Sequence, residues 1–466
     1  MVPFCGALSI NIAPVYLPPA LRVPIPSFRE RAAMAQDTPP LDLLLKGGHV
    51  VDPANDLDAV ADVGVRHGKI ARVEADIAPS DATHVVDVSG LHVTPGLLDI
   101  HVHSYDLRWA AIDLKTGARQ PANLFVSGSL RADAHFLKEG ITTCVDTGTA
   151  GADELEHFRR ACIETSKVRQ FAFVNIAHPG MGAPEQTVAN LDPKRAAAAA
   201  REHADICVGI KTAHYWTVDP FDAEHPPWAS VDNTVAAGDL ADMPVMIDFW
   251  PRPPERPYDD LILQHLRPGD IHTHVFARQF PIVDPDNNNK VFDHMWKARE
   301  RGIHFDVGHG AASFWFRNAV PAIEQGFPPD SISTDLHMGN IHGHVHSMLD
   351  TMSKCLAMGM PFQEVIYRST VTPARAIRHE ELGTLNIGAD ADIAVLQRHK
   401  GDFGFRDCGW GRISGTERLE CELTVRAGEV LWDRQGLTCP AWEDAGEQYF
   451  ALPGTQAGAV PRLWRS

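Results

Sequence analysis

The sequence predicts an α/β protein: a TIM-like (β/α)8 barrel joined to a small β-sandwich domain built from both chain ends. Between residue 97 and about residue 335, eight short apolar runs alternate with helical stretches such as 196–204 and 288–301. This alternation matches the eight β/α units of a barrel. Polar residues also recur at the carboxyl ends of nearly all the runs, where a barrel places its active site. A doubly wound open sheet fits less well, because no GxGxxG follows the first run.

The chain length predicts more than one structural unit, because 466 residues exceed what a single compact core usually holds. Short strand-like runs at both ends, with turns at His67-Gly68 and Gly428, indicate that the two ends share one small β-domain. The proline-rich start is expected to be a disordered leader, or to precede a working start at Met34. The predicted divisions are a leader at 1–40, a small β-domain at 41–93 and 386–440, a barrel at 94–385 and a tail at 441–466.

The composition argues against several classes of partner. Lysine and arginine number 42 against 60 aspartates and glutamates, a formal net charge of −18, which disfavours nucleic acid or an anionic membrane. No apolar run is long enough to span a bilayer. The eight cysteines are scattered without paired spacing, as in a reducing compartment. We therefore expect a cytoplasmic protein, ahead of a periplasmic or secreted one, that acts on a small molecule and forms a homo-oligomer.

The segment 94–104, TPGLLDIHVHS, carries the clearest chemical signal in the chain. A Pro-Gly turn leads into a short apolar strand that ends at His101 and His103. Alternate residues of a strand point to the same face, so both imidazoles are expected on one side. These two histidines would supply half of a metal site. They are a strong indication of such a site only if later strands end in further ligands.

The carboxyl ends of later runs do supply further candidates. In chain order they are Lys211, Asp248, His274, His309 and Asp335. Imidazole and carboxylate together suit zinc first, with manganese, iron or cobalt as alternatives.

Each candidate also has an ordinary structural explanation, since buried histidines and salt-bridged lysines occur in many cores. His272 is expected to share the strand face of His274 and could replace it as a ligand. His309, between two glycines, is expected to contact substrate rather than metal. The segment 342–346, HGHVH, looks like a metal motif but is also typical of a solvated loop.

Four motifs at these positions resemble those of one enzyme superfamily. They are PGLLDIHVHS from residue 95, GIK ending at 211, THVF with a histidine at 274, and STDLH with an aspartate at 335. From about residue 41 to 437, the chain is similar to the amidohydrolase superfamily, specifically the dihydroorotase-like branch that includes acetyl-mandelate and N-acyl-amino-acid deacetylases. The resemblance implies two divalent metal ions bridged by Lys211, after its carboxylation by CO2. The ligands it implies are His101, His103, Lys211, His274 and Asp335.

The chain departs from this family at one position. Relatives carry a histidine at the end of the fifth strand, whereas the run MPVMIDFW places Asp248 there. A carboxylate is still a ligand for a hard or borderline metal ion. We therefore expect Asp248 to bind the second metal, and to shift the preference of that site toward harder cations such as Mn²⁺.

The predicted site favours metal-assisted hydrolysis of an amide or ester bond. Asp335 is expected to accept the proton of the attacking water and pass it to the leaving nitrogen or oxygen. The leading interpretation is a hydrolase of N-acyl amino acids or O-acyl hydroxy acids. The alternatives are a cyclic-amide hydrolase of dihydroorotase or hydantoinase type, a mononuclear deaminase, which Lys211 disfavours, and a catalytically silent scaffold on the same fold.

A carboxylate on such a substrate would suit an arginine fork. Arg252 and Arg256 follow the fifth run, and Arg278 follows the sixth. The residues predicted to bind substrate are His309, Arg252, Arg278 and Tyr215.

Overall fold

The computed structural model describes residues 40–106 and 128–445. The predicted leader, apart from Pro40, and the predicted tail beyond residue 445 lie outside these ranges. The strands up to the middle of the chain are β1 Leu41–Asp52, β2 Leu57–Arg66, β3 Lys69–Glu74, β4 Ala82–Asp87, β5 His92–Pro95, β6 Leu97–Val102, β7 Ile141–Gly151, β8 Arg169–Asn175 and β9 Cys207–Thr212. The remaining strands are β10 Val245–Ile247, β11 Ile271–His272, β12 Val283–Asp284, β13 Lys290–Val291, β14 His304–Phe305, β15 Ile393–Arg406, β16 Arg412–Arg426 and β17 Glu429–Asp433.

Helices alternate with the central strands, as the sequence predicts. The α-helices are Ala132–His135, Leu155–Phe158, Pro193–Glu202, Ala229–Ala241, Tyr258–Asp260, Asp293–Glu300, Phe316–Glu324, Met348–Ala357, Phe362–Tyr367 and Val371–Ala376. The helix expected at 196–204 begins earlier, because the Asp192 side chain caps it by accepting from the backbone N–H groups of Lys194 and Arg195. The helix expected from residue 288 begins only at Asp293, because Asn288 and Asn289 adopt left-handed backbone conformations ahead of β13.

Seven strands form one parallel sheet in the order β14-β11-β10-β9-β8-β7-β6. The strands β6, β7 and β9 are buried along their whole length, as expected where both faces of a parallel sheet are covered. The eighth predicted run, residues 331–336, is not a regular strand. It makes single parallel bridges to both edges of the sheet, Ser331 to Asp306 and Leu336 to Val102. These bridges place Asp335 beside His101, whose carbonyl accepts from the Asp335 backbone N–H at 2.6 Å.

The alternation of side chains across this sheet decides which residues reach its inner face. Val245 and Ile247 pack in the large apolar cluster with the helices, whereas Met246 belongs to a separate cluster that the last helix joins through Ala374. Asp248, two residues after Met246, continues that second face. The alternation therefore places the polar side chain of Asp248 on the inner face of the sheet, at the carboxyl end of its strand.

The two chain ends share one mixed sheet, as predicted. Its strand order is β17-β16-β15-β5-β1-β2-β3, with β4 also paired to β1. The predicted turns are confirmed: His67-Gly68 joins antiparallel β2 and β3, and Gly428, with a φ of 80°, joins β16 and β17. Hydrogen bonding is continuous across the eight strands, so the structure shows one sheet where the sequence predicts a sandwich.

Two predictions about composition can be compared with the described residues. Seven cysteines lie in this part of the chain, and all are unpaired. Among the helices described, none is both long and apolar enough to cross a membrane.

Candidate active site

A cavity of about 280 Å³ opens at the carboxyl ends of the parallel strands. It brings together all six predicted metal ligands and several residues that were not predicted. Its wall consists of His101, His103, Gly128, Met181, Lys211, Ala213, His214, Asp248, His274, Asp335, His337 and Gly339.

Three side chains form a compact group at one side of the cavity. The Nε2 atoms of His101 and His103 lie 3.5 and 3.1 Å from Oδ1 of Asp335. One ligand atom from each residue can be chosen so that all three lie within 4.8 Å of one another, close enough to surround one metal ion. Burial alone would raise the pKa of the Asp335 carboxyl, but His101 and His103 hold it well below its usual range.

A second group lies beside the first, with the ring centroid of His274 4.9 Å from that of His101. Nε2 of His274 lies 3.5 Å from Oδ2 of Asp248, and the pKa of this carboxyl is also well below its usual range, because His274 and Lys211 outweigh the effect of burial. Lys211 is fully buried, and its Nζ atom has no hydrogen-bond partner among the described residues. Burial lowers the pKa of its amine, which favours the neutral form that carboxylation by CO2 requires.

Hydrogen bonds from behind fix all three histidine rings. The Nδ1 atom of His103 lies 2.7 Å from the Thr149 hydroxyl, and Nδ1 of His274 donates to the Gly308 carbonyl at 2.5 Å. Nδ1 of His101 lies 2.8 Å from Thr273 Oγ1. Each ring therefore keeps its Nε2 atom for the cavity, which is the arrangement that metal-binding histidines adopt.

The contact of Thr273 also determines the tautomer of His101. The Thr273 hydroxyl donates to Oδ2 of Asp306 at 2.7 Å, so it can only accept from His101, and the proton of that ring lies on Nδ1. Gly308 packs against this contact with a φ of 44°, and a Cβ atom there would lie 2.4 Å from Thr273 Oγ1. The glycine is required for the loop to approach so closely.

His272 cannot replace His274, contrary to the sequence expectation. Ile271 packs on the inner face, so His272 points outward and its ring lies against Tyr258, Phe280 and Phe305. The strand ends at His272, and His274 has a left-handed φ of 62°. This change of backbone conformation breaks the alternation on which the expectation depended.

The residues predicted to bind substrate do not line the cavity. Arg252 donates to the backbone carbonyls of Trp216 and Asp219, and Tyr215 donates to the carbonyl of Pro226 at 3.0 Å. The Arg278 guanidinium lies over the Trp315 ring. Nε2 of His309 lies 2.8 Å from Nζ of the buried Lys354.

The HGHVH segment is likewise separate from the cavity. His344 packs edge-on against Trp410, and Nε2 of His346 lies 3.4 Å from the Arg406 guanidinium. Neither ring is in the cavity wall. The structure therefore favours the loop interpretation of these two histidines.

Two histidines in the cavity wall were not singled out from the sequence. His214 and His337 each lie in a run that was recognised, three residues after Lys211 and two after Asp335. Their position just beyond the strand end was the available signal. The buried carboxylate behind His214 belongs to Glu185. It carried no such signal, because it lies 29 residues earlier, in the short 3-10 helix Ala183–Gln186.

Comparison with known proteins agrees with this geometry. The model of the amidohydrolase family matches residues 315–419. A deacetylase of Enterococcus faecalis is 30% identical over 402 residues, which cover 84% of this chain and 98% of that protein. The solved structure of an adenine deaminase covers 84% of this chain and all of its own, with a TM-score of 0.73 and 27% identity. For a dihydroorotase, covering 84% of this chain and 99% of its own, the TM-score is 0.68 and the identity 27%.

The chain belongs to the amidohydrolase family, in its deacetylase- and dihydroorotase-like part. It is a hydrolase of C–N bonds, and the fold of its relatives is a TIM-like barrel.

The hydrogen bonds behind His101 predict an effect on stability that is independent of any metal. Thr273→Val removes the hydroxyl shared by His101 and Asp306, so it should lower the free energy of unfolding of the metal-free protein by about 1–3 kcal/mol. Thr212→Val is the matched control, because the Thr212 hydroxyl is also buried but has no partner among the described residues. Denaturant unfolding of both variants in a chelator measures the difference, and equal losses would contradict the assigned role of Thr273.

Proposed function

We propose that this cavity binds two divalent metal ions and that the chain removes the acyl group from an N-acyl amino acid or an O-acyl hydroxy acid. The observation that carries the proposal is the convergence of His101, His103, Asp335, Lys211 and His274, joined by Asp248, on one cavity. The deacetylase name of the Enterococcus relative supports acyl removal as the reaction. Zinc is the leading metal, with manganese, iron or cobalt as alternatives.

The residues present fit a pair of metal ions. Three imidazoles keep Nε2 toward the cavity, and two carboxylates lie within 3.5 Å of them. The Lys211 amine is buried and has no partner in the part of the chain that the structure describes, a costly arrangement for an unmodified lysine. Carboxylation by CO2 would turn it into an anion able to bridge two cations. We propose His101, His103 and Asp335 as ligands of one ion, Asp248 and His274 as ligands of the other, and Lys211 as the bridge.

Bound divalent ions would supply an activated water and Lewis-acid polarisation of the scissile carbonyl. Asp335 then accepts the proton of the attacking water on its carboxylate and delivers it to the leaving nitrogen or oxygen. The Nδ1 contacts of the histidines prevent their rings from turning during these steps. Thr273, Asp306 and Gly308 therefore act through the rings that they orient.

The same proposal extends to the architecture. We propose that residues 331–336 serve as the eighth strand and close the barrel of residues 94–385, and that residues 41–93 and 386–440 form the small β-domain. The two bridges of residues 331–336 to the sheet edges support closure. We further propose a cytoplasmic enzyme that assembles as a homo-oligomer and acts on a small molecule.

Two other functions remain defined alternatives. A dihydroorotase is among the structural neighbours, so a cyclic amide is the second candidate substrate. A deaminase with one metal fits less well, because it has no use for the buried Lys211 amine. The number of metal ions bound per chain distinguishes the proposal from a mononuclear enzyme and from a silent scaffold. Two ions per chain support the proposal, one ion supports a mononuclear enzyme, and the absence of bound metal supports the scaffold.

The proposed bridge predicts the behaviour of Lys211→Ala. This variant should lose metal and activity together, because both sites share the ligand. Short carboxylic acids added with bicarbonate should restore some of each, since they can occupy the space of the lost carbamate. Lys354→Met is the control, because Lys354 is equally buried but has hydrogen-bond partners outside the cavity. Full metal occupancy and unchanged turnover in Lys211→Ala would refute the bridge.

The aspartate at the fifth strand predicts a change in metal count. Asp248→Ala should release one ion and keep the one held by His101, His103 and Asp335. Asp248→His should keep two and shift the preference from Mn²⁺ toward zinc, because imidazole is the softer ligand. Elemental analysis after dialysis gives the counts. Two tightly held ions in Asp248→Ala would show that the carboxylate is no ligand.

A further inference from the structure

His337 lies in the cavity wall two residues after Asp335, and it belongs to neither of the two proposed ligand groups. A tight turn of the chain, residues 337–340, holds its ring. The backbone N–H of Gly339 donates to Nδ1 of His337 at 3.0 Å. A backbone N–H cannot accept a hydrogen bond, so Nδ1 carries a lone pair and the proton of the neutral ring lies on Nε2.

Glycine at position 339 allows this contact to form. A Cβ atom there would lie 2.8 Å from Cε1 of the His337 ring, too close for the ring to stay in place. Asn340 closes the same turn, because its side-chain oxygen accepts from the His337 backbone N–H at 2.9 Å. The Asn340 side-chain amide also donates to the backbone carbonyl of Asp335 at 2.6 Å. The turn therefore fixes the position of the His337 ring relative to Asp335.

The tautomer of His337 is opposite to that of His101 and His274. Those two rings donate from Nδ1, so each Nε2 atom holds a lone pair that can bind a metal ion. The Nε2 atom of His337 carries a proton instead, and a protonated ring nitrogen has no lone pair for a metal. Within residues 40–106 and 128–445, this N–H has no hydrogen-bond partner. His337 can therefore offer a donor, and not a metal ligand, to a molecule in the cavity.

The His337 ring lies next to the ligand group around Asp335. Its centroid is 6.1 Å from that of His103, and the two rings meet nearly edge to face, at 72°. Nε2 of His103 in turn lies 3.1 Å from Oδ1 of Asp335, the proposed acceptor of the proton of the attacking water. The ring thus borders the space in which the acyl carbonyl would be attacked. Donors in such a position stabilise the oxygen that gains negative charge in the transition state.

We propose that His337 is a catalytic hydrogen-bond donor, whose Nε2–H binds the substrate oxygen that becomes negative when water adds to the acyl carbon. The water oxygen forms a bond to that carbon, and an electron pair of the C=O bond moves onto the carbonyl oxygen. The pair returns when the bond to the leaving nitrogen or oxygen breaks. His337 keeps its proton throughout, and Gly339 is the positioning residue behind it. This inference rests on the proposed function and adds a catalytic residue to it.

A neutron structure of the metal-loaded enzyme in D2O tests the tautomer without any substrate. We expect deuterium on Nε2 of His337 and none on Nδ1. Deuterium on Nδ1 alone would overturn the proposal, because Nε2 would then have no proton to donate. A metal ion bound to Nε2 of His337 would overturn it as well.

The kinetic test compares three variants on a panel of acetylated amino and hydroxy acids. In His337→Leu the donor is lost, so kcat should fall about 100-fold with KM changed by less than about twofold, as for the loss of one oxyanion-hole donor. In His337→Gln an amide N–H can take the place of the Nε2–H, which should recover part of this loss. Gly339→Ala keeps the imidazole but displaces it, so kcat should fall there too. Metal content should be unchanged in all three.

His342→Leu is the matched control, because His342 lies in the same loop but is exposed and outside the cavity wall. Its kcat and KM should equal those of the unaltered enzyme. A raised KM at unchanged kcat in His337→Leu would overturn the proposal, because the ring would then bind only the ground state of the substrate. Loss of metal from His337→Leu would also overturn it.

A tetrahedral analogue separates this inference from the proposed function. The probes are the methylphosphonyl analogues of the acetylated compounds, titrated calorimetrically into the metal-loaded enzyme. Their affinity should fall about 100-fold in His337→Leu, since a charged phosphonyl oxygen takes the place of the attacked carbonyl oxygen. If this loss is seen but no acetyl group is released from the panel, the donor stands and the proposed reaction is wrong.

The opposite result is equally clear. If the panel is hydrolysed and the analogues bind His337→Leu as tightly as the unaltered enzyme, the proposed reaction stands and the donor is wrong. Should His337→Leu fail to fold, the neutron structure and the kcat of Gly339→Ala decide, and an unchanged kcat in Gly339→Ala would then overturn the proposal.

Discussion

The orientation of three imidazole rings is the constraint on which the cavity depends. His101, His103 and His274 each use Nδ1 for a contact with the surrounding protein, so each presents Nε2 to the same space. The contacts come from three different segments of the parallel sheet. The strands therefore hold the rings in place before any ligand is bound, which lowers the entropic cost of forming a site.

Buried carboxylates reinforce this arrangement from below. Asp306 accepts hydrogen bonds from the hydroxyls of Thr273, Ser331 and Ser333. It therefore connects the ends of β11 and β14 to the segment that carries Asp335. Asp99 accepts from the Thr334 hydroxyl on the other side of that segment. Residues 331–336 also make backbone hydrogen bonds to both neighbouring strand ends, and these side-chain contacts add to them in fixing the position of the segment. Nearly every polar group of this buried network must have a hydrogen-bond partner, because an unpaired buried polar group destabilises the fold.

The sequence was sufficient for the parts of the site that follow strand periodicity. His101, His103, Lys211 and Asp248 lie at strand ends, where alternation and barrel geometry predict their direction. It failed for His272, because alternation from the inward-facing Ile271 points His272 outward, and only the left-handed φ of His274 brings that ring back to the cavity. The sequence also does not reveal that Arg252 donates to loop carbonyls and that Arg278 lies over the Trp315 ring, both outside the cavity wall. Glu185 could not be predicted from the sequence, because its contact with His214 depends on where the tertiary structure places the short 3-10 helix Ala183–Gln186.

We propose that this cavity binds two metal ions around a carboxylated Lys211. A crystal structure of the metal-loaded protein, with anomalous scattering measured at the absorption edge of the metal, would locate both ions. We expect two anomalous peaks, one beside His101, His103 and Asp335 and one beside His274 and Asp248, with carbamate density extending from Lys211 Nζ between them. A single peak, or an unmodified Lys211 amine beside two filled sites, would refute the proposed metal centre.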